Sequence, residues 1–220
     1  QTIRFHVDDI MSSHVNKRVN DDFLKWLNLK YGQYAPVTAT RGAVHEYLGM
    51  DFDWGTVPGT IILSMIKYLT QVLEEFPEEI RSTRATAAGN HLFDVREDNS
   101  HMLLAEEQAR QFHRTVAQLL FLYKRARPDI EQVVSFLTTR VKEPDEDDWG
   151  KLRHCLMYLK GTKYMERYMT ADSMTMIQWW IDASYGVHWD CKGHTGAVMS
   201  MGKGLVVNIS RKHKMNVASS

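Results

Sequence analysis

The chain opens with a short alternation of apolar and polar positions. Apolar residues at positions 3, 5 and 7 alternate with polar ones, Asp8 and Asp9 interrupt the pattern, and apolar residues resume at Ile10. A period of two indicates a strand, and a polar interruption between two such runs indicates a turn. Residues 1–14 are therefore predicted to form a β-hairpin with the two aspartates at its turn.

The middle of the chain follows a helical period instead. Apolar residues three and four positions apart predict helices over residues 21–31, 60–76, 111–125, 129–141 and 145–160. The last of these helices is opened by the acidic run 145–148 and closed by Gly161. A strand is predicted over residues 44–54, and the polar stretch 78–110 is predicted to be a connector.

The final quarter returns to strand-like patterns. Residues 176–182, 196–201 and 205–210 read as strands, and residues 202–204 supply two glycines for a turn between the last two. A β-rich start, a helical middle and an antiparallel meander together predict an α+β fold.

Composition narrows the function classes. Of 220 residues, 44% are hydrophobic and 25% charged, which is typical of a globular protein, and no apolar run is long enough to span a bilayer. Two distant cysteines favour a reduced, intracellular protein, cytoplasmic or nuclear. The formal net charge is zero, so a nucleic-acid function must be argued from local sites. Because the chain starts with Gln1 and stops at Ser220, we expect it to be cut from a longer protein.

The first candidate site is the pair Asp8 and Asp9. Adjacent carboxylates repel each other, and a divalent cation such as Mg²⁺, which prefers carboxylate oxygen, is one reason to hold them together. An exposed turn without a ligand is the alternative, and the residues leave both open. A phosphoreceiver domain, with Asp51 or Asp53 at a later strand end, is excluded because residues 60–160 are mostly helical.

Three weaker candidates lie in the C-terminal quarter. Asp182 ends an alternating strand and is either solvated or a metal ligand. The side chains of His188, Cys191 and His194 have zinc-like spacing but lack a fourth ligand nearby, so a polar loop is favoured. The basic run 211–214 is either a solvated strand end or a phosphate-contacting patch.

Taken in order, these segments resemble copia-type retrotransposon reverse transcriptases, from the metal-binding hairpin of the polymerase into its RNase H domain. Residues 5–10 resemble the Tyr-x-Asp-Asp hairpin, and residues 45–52 the strand near the region that positions the primer end. The other similar segments are 113–122, 125–130, 154–162, 181–185, 194–196, 209–214 and 217–220. The chain departs from the family at His6 and His113, where tyrosine is usual, and at Asn208, where tryptophan is common.

The resemblance implies a domain order. Residues 1–59 would form the C-terminal part of the polymerase palm, residues 60–110 a thumb-like helix and connector, and residues 111–170 a helical connection. Residues 171–220 would begin an RNase H-like domain whose antiparallel sheet lacks a covering helix, which leaves tryptophan and isoleucine side chains exposed.

The resemblance also implies an activity. Two-metal nucleotidyl transfer would use Asp8 and Asp9, and RNase H cleavage would use Asp182, each with Mg²⁺ or Mn²⁺. The implied partners are an RNA template, a DNA primer, an RNA–DNA hybrid, and the missing upstream palm and fingers and downstream RNase H segments. We expect this chain alone to be inactive. An inert or repurposed nucleic-acid-binding remnant is the alternative function, and an unrelated helical interaction domain is a third.

Overall fold

Short strands lie at both ends of the chain and helices in its middle. The computed structural model describes residues 1–96, 102–173 and 175–215. The helices are α1 (Lys17–Tyr31), α2 (Ile66–Glu75), α3 (Glu106–Tyr123), α4 (Glu131–Thr138) and α5 (Glu146–Gly161), with a single 3₁₀ turn at Pro128–Ile130. The strands are β1 (Thr2–His6), β2 (Asp9–Ser13), β3 (Val44–Tyr47), β4 (Met50–Asp53), β5 (Thr60–Ser64), β6 (Arg167–Thr170), β7 (Gln178–Ser184), β8 (His194–Ser200) and β9 (Val207–Lys212).

These strands form three antiparallel sheets. One is the hairpin β1–β2, the second has the order β3-β4-β5-β6, and the third has the order β7-β8-β9. Every pairing in them is antiparallel. The predicted α+β class is confirmed, as are the hairpin at the start and the meander at the end.

The helices enclose the hydrophobic core. Leu119, Leu122 and Leu156 are fully buried, and helices α2, α3, α4 and α5 all contribute to the same cluster. Full burial of one such leucine contributes roughly 1.5–3 kcal/mol. The helical layer is therefore the main hydrophobic core of the described residues.

Helix α5 begins as its sequence predicts. Asp145 is the N-cap, its side chain accepts from the backbone N–H of Asp148, and the Asp148 side chain accepts from the backbone of Asp145. This capping box satisfies two backbone donors that a helix start leaves unpaired. The guanidinium of Arg140 bonds both carboxylates, at 3.4 Å and 2.9 Å, and offsets part of their charge.

Helix α1 begins earlier than predicted. Its N-cap is Asn16, whose side chain accepts from the backbone N–H of Arg18. Asp21 and Asp22 therefore lie in the second turn rather than at the helix start, and the helix dipole does not explain them. Asparagine is among the strongest N-cap residues, and it overrides the weaker preference of carboxylates for the first turn.

Two further predictions were wrong in the region 44–76. The single predicted strand is a hairpin, because Leu48 (φ +53°) and Gly49 (φ +70°) form a two-residue turn between β3 and β4. The predicted helix over 60–76 is strand β5 followed by α2. Its first residues, Thr60, Ile61 and Ile62, are β-branched and favour a strand.

Strand β6, which was not predicted, closes the second sheet by pairing with β5. The four strands of this sheet come from the segments 1–59, 60–110 and 111–170. Those domain boundaries remain a prediction, but the sheet physically joins the three segments. Thr60, Ile62 and Leu63 of β5 are each less than 9% exposed, and Ile62 and Leu63 have paired strands on both sides.

The third sheet docks on helix α4. The amide of Asn208 on β9 donates to a carboxylate oxygen of Glu131 on α4, at 2.7 Å. Phe93 packs on Phe136 of α4 and on the rings of two histidines of the sheet region. None of the helices in the described parts of the chain is both long and apolar enough to cross a bilayer.

Candidate functional site

The tip of the first hairpin carries the adjacent carboxylates. Strands β1 and β2 pair from Thr2 with Ser13 to His6 with Asp9, so only Val7 and Asp8 form the turn. Asp9 is the first residue of β2, and both aspartates are exposed. The two carboxylates therefore project into solvent at a turn, where an ion can reach them.

The backbone at this turn is unusual. Val7 has φ +54°, in the left-handed region that β-branched residues rarely adopt. Such a conformation costs about 1–3 kcal/mol and tends to occur at functional positions. Neither Asn nor Gly, the residues that such turns favour, is present here. The turn thus holds a strained residue directly beside two like charges.

Asp182 lies in a different sheet. It is on β7, exposed, and opposite Gly196 of β8, and its carboxylate accepts from the backbone N–H of Ala183 at 2.9 Å. Its face of the sheet is the one that carries Asn208 and docks on α4. Carboxylate oxygens at this position are open to solvent and suit a hard cation.

The opposite face of that sheet is apolar and uncovered, as predicted. Trp179 is 48% exposed and Ile181 is 70% exposed, although Ala197, which is opposite Ile181 on β8, is buried. Strand β7 is the edge strand on the far side of the sheet from β9, which contacts α4, and Trp180 on the docked face of β7 is 53% exposed as well. An uncovered apolar sheet face favours association with another surface.

The structure does not bring the three predicted carboxylates into one centre. Asp8 and Asp9 are neighbours in the two-stranded sheet, whereas Asp182 is in the three-stranded sheet. Over residues 1–96, 102–173 and 175–215, no three His, Cys, Asp or Glu side chains are grouped so that they could hold a metal ion. The candidate residues therefore lie at two separate places in the fold.

The zinc-like spacing in the β7–β8 region forms no zinc site. The rings of His188 and His194 bond to each other, Nε2 to Nδ1 at 3.0 Å, and His194 Nε2 lies 2.6 Å from the Ser210 hydroxyl. Both rings are buried, while Cys191 is exposed. Nitrogens engaged with each other cannot also bind one metal ion, so the favoured polar loop is the better interpretation.

Burial of this pair changes its titration. Desolvation, followed by the charges of Lys212 and His194, lowers the pKa of His188 to about 4. Phe93 covers both rings, with centroids 4.7 Å from His188 and 5.4 Å from His194. Sequence reasoning missed Phe93, because it lies in a stretch whose pattern is polar and aperiodic. No local signal shows that this ring reaches the third sheet.

The basic run 211–214 is divided by its contacts. Lys212 forms an ion pair with Asp190 at 2.8 Å and lies over the Trp189 ring, whereas Arg211 and Lys214 are exposed. This arrangement leaves two solvated cations and one that fixes a loop. It favours neither of the two predicted roles.

Two segments of the family resemblance, residues 125–130 and 154–162, meet in a polar network around a buried arginine. Arg127, 3% exposed, binds both carboxylate oxygens of Asp129 at 2.7–3.2 Å and also the carbonyl and hydroxyl of Thr162. The hydroxyl of Tyr158 donates to Asp129 at 2.7 Å. These contacts join the corner between α3 and α4 to the end of α5, so these residues stabilise the packing of the helices.

The second hairpin holds the segment predicted to lie near the primer end. His45 and Phe52 are opposite each other on β3 and β4, and Trp54 stacks on Phe52 with centroids 5.3 Å apart. On the other face, Glu46 and Asp51 are directly opposed, and both lie within 4 Å of the Lys67 ammonium. This lysine reduces the repulsion between the opposed carboxylates.

Comparison with known proteins finds relatives of low identity, among them a yeast protein and a plant protein. The chain is 26% identical over 218 residues to the Ty5-1 transposon protein YCL074W of Saccharomyces cerevisiae, covering 96% of this chain and 65% of that protein. It is 27% identical over 144 residues to the uncharacterized mitochondrial protein AtMg00810 of Arabidopsis thaliana, covering 66% of this chain and 57% of that protein. The chain thus spans less than two thirds of either relative.

No family model and no solved structure matches the chain. The predicted motif over residues 217–220 lies outside the residues that the structure describes.

Proposed function

We propose that this chain is a section of a copia-type retrotransposon polyprotein, running from the reverse-transcriptase hairpin into the RNase H domain. Similarity to a transposon protein over 96% of the chain supports the proposal. The order of the structural elements supports it too, because an antiparallel hairpin comes first, helices follow, and a three-stranded meander comes last.

The observation that carries the polymerase part is the position of Asp8 and Asp9. Both carboxylates are exposed at the end of a tight hairpin whose Val7 has a left-handed backbone. Carboxylate oxygen is the ligand that Mg²⁺ prefers, and exposure leaves room for the waters that this ion retains. The donor chemistry fits Mg²⁺ or Mn²⁺, and the two residues would supply part of the octahedral ligand set.

Their role would be to hold the ions at a primer 3′ end. When bound, two such ions supply activation of the attacking hydroxyl and stabilisation of the leaving pyrophosphate. Asp8 and Asp9 would fix the ions beside the hairpin, with further ligands from elsewhere. The RNA template and DNA primer are the substrates that this role requires.

Asp182 would belong to a second centre for cleavage of an RNA–DNA hybrid. It lies on an antiparallel sheet with one face docked on α4 and one face open. A single carboxylate binds Mg²⁺ weakly, because the ion sheds its water reluctantly and needs several hard ligands. We therefore expect this chain alone to show no hybrid cleavage.

Paramagnetic broadening by Mn²⁺ in NMR spectra tests the first centre. We expect weak binding, with broadening of amide signals centred on residues 7–10. The change Asp8→Asn together with Asp9→Asn should remove it. The matched control is Asp21→Asn with Asp22→Asn. These two residues are also adjacent aspartates with exposed side chains, so their replacement should leave the broadening in place. Broadening centred on α1 instead would contradict the assignment.

A second candidate function is nucleic-acid binding without catalysis. It is favoured by the side chains of the described residues, among which no three His, Cys, Asp or Glu are grouped so that they could hold a metal ion. A primer-extension assay on a primed RNA template distinguishes it from catalysis. The chain alone should give background extension, and extension that disappears in Asp8→Ala would show that this chain is itself a polymerase.

A further inference from the structure

A group of aromatic rings projects from helix α1 into solvent. Trp26 stacks on Phe23, with centroids 6.0 Å apart and planes 16° apart, and meets Tyr31 edge to face at 6.4 Å. Trp26 is 49% exposed and Tyr31 47% exposed. No residue of α1 is fully buried, so these rings do not serve as anchors in the core.

A lysine completes the group. The ammonium of Lys30 lies 5.2 Å from the centroid of Trp26 and 5.6 Å from that of Tyr31. Cation–aromatic contact at an exposed site is weak, about 0.5–1 kcal/mol. The cation is therefore held close to the rings yet remains available to an anion beside them.

The surrounding charge is positive. Helix α1 carries four basic and two acidic side chains, which gives it a net charge of +2. Both acidic side chains already have cationic neighbours: Asp21 pairs with Arg41 at 2.5 Å, and Asp22 lies 3.6 Å from Lys25. An approaching ligand thus meets exposed rings beside a net positive helix.

We propose that this face of α1, formed by Phe23, Trp26, Lys30 and Tyr31, is a stacking platform for single-stranded nucleic acid. Bases would stack on the exposed faces of Trp26 and Tyr31, and the flanking phosphates would contact Lys30. Aromatic rings beside basic side chains are the combination by which proteins bind single strands without sequence preference. The inference rests on the proposed function and specifies how this section of the protein contacts an unpaired template or primer strand.

Two other occupants, a second copy of the chain and a membrane surface, do not fit this face of α1. A second copy would bring the same positive face against itself, because a two-fold interface joins identical patches. A membrane surface requires a broad apolar helix face. The exposed side of α1 instead mixes apolar and charged residues, namely Arg18, Asp22, Lys25, Trp26, Leu29 and Lys30.

Fluorescence anisotropy with a labelled oligothymidine of about 15 nucleotides tests the platform, since single-strand sites are of that order. Trp26→Ala should weaken binding at least about fivefold, and Trp26→Phe should retain most of it. The matched control is Trp180→Ala, which removes another exposed tryptophan, 53% exposed on β7, and should bind as the unmodified chain does. A duplex of the same length should compete less well than an unlabelled single strand.

Salt dependence gives a readout that a folding defect does not imitate. Lys30→Gln should reduce the slope of log affinity against log salt by about 0.7, and Trp26→Phe should leave the slope unchanged.

The proposal is overturned if the chain does not bind the single strand, if Trp26→Ala binds normally, if Trp180→Ala weakens binding equally, or if the duplex competes as well as the single strand. If the chain does not bind the single strand but Mn²⁺ broadens the signals of residues 7–10, the proposed function stands and the platform is wrong. If the chain binds the single strand but Mn²⁺ causes no such broadening, the platform stands and the metal site is wrong.

Discussion

Removal of the Asp129 charge is expected to destabilise the whole helical layer. The Arg127 guanidinium is 3% exposed, and Asp129 is its carboxylate partner, with a side chain 27% exposed. Breaking a buried pair from one side costs about 3–5 kcal/mol, because the remaining charge is left without compensation in a poorly solvated position. Asp129→Asn keeps the shape of the side chain but offers only one acceptor to the two guanidinium donors. We expect a loss of about 3 kcal/mol, at the lower end because Asp129 is partly solvated.

Urea unfolding followed by far-UV circular dichroism measures this loss as a shift in midpoint at constant slope. The matched control is Asp147→Asn, which breaks the ion pair with Arg96 on the surface, where the side chains are 40% and 56% exposed. Surface pairs contribute about 0–1 kcal/mol. Equal effects of the two substitutions, or a loss below about 1 kcal/mol for Asp129→Asn, would refute the reasoning.

The same pair has a defined pH dependence. Burial alone would raise the pKa of Asp129, but its bonds and charge interaction with Arg127 override that effect, and the pKa lies below the usual range. A carboxyl whose pKa is lowered by folding stabilises the folded state above its unfolded pKa. That contribution is lost as the pH falls through the folded value. The difference between the original chain and Asp129→Asn should therefore shrink in acid.

Two further predictions concern the histidines and the cysteines. Burial, Lys212 and His194 lower the pKa of His188 to about 4, so folding favours its neutral form, and stability should fall as the pH drops from about 6.5 to about 4. His188→Asn should flatten the dependence of the urea midpoint on pH over that window, and an unchanged dependence would contradict the assignment. Cys191 is exposed and should react with a thiol reagent in the folded protein, whereas Cys155 is buried with a pKa raised to about 12 and should react only in urea. Rapid labelling of two thiols in the native chain would contradict this difference.

The sequence predicted those helices and strands that are determined by residues close together in the chain. The first hairpin, helix α3 and the acidic start of α5 follow from alternation, helical spacing and capping chemistry. Strand β6 escaped prediction because Arg167–Thr170 is short and its partner β5 lies far earlier in the chain. The split at Leu48 depends on a left-handed leucine, which sequence preferences disfavour.

The candidate sites were predictable to different extents. Adjacent aspartates between two strand patterns predicted the turn at Asp8 and Asp9, and the structure places them there. The bonds from Arg127 to Thr162 could not be predicted, because the end of α5 meets the α3–α4 corner only through tertiary packing. A family motif therefore marked residues whose observed contacts serve stability, although the motif alone suggested no such role.

The pairing of β5 with β6 has a consequence for synthesis of the protein. The two strands enclose the helices α2 to α5 in a single long loop, and closing such a loop carries an entropy cost that later contacts must offset. Long-range pairing of this kind slows folding. During synthesis on the ribosome, the edge of β5 that pairs with β6 stays unpaired until Arg167–Thr170 has emerged. A chain that ended before that strand would retain an open, apolar edge, and we expect it to aggregate even with every helix intact.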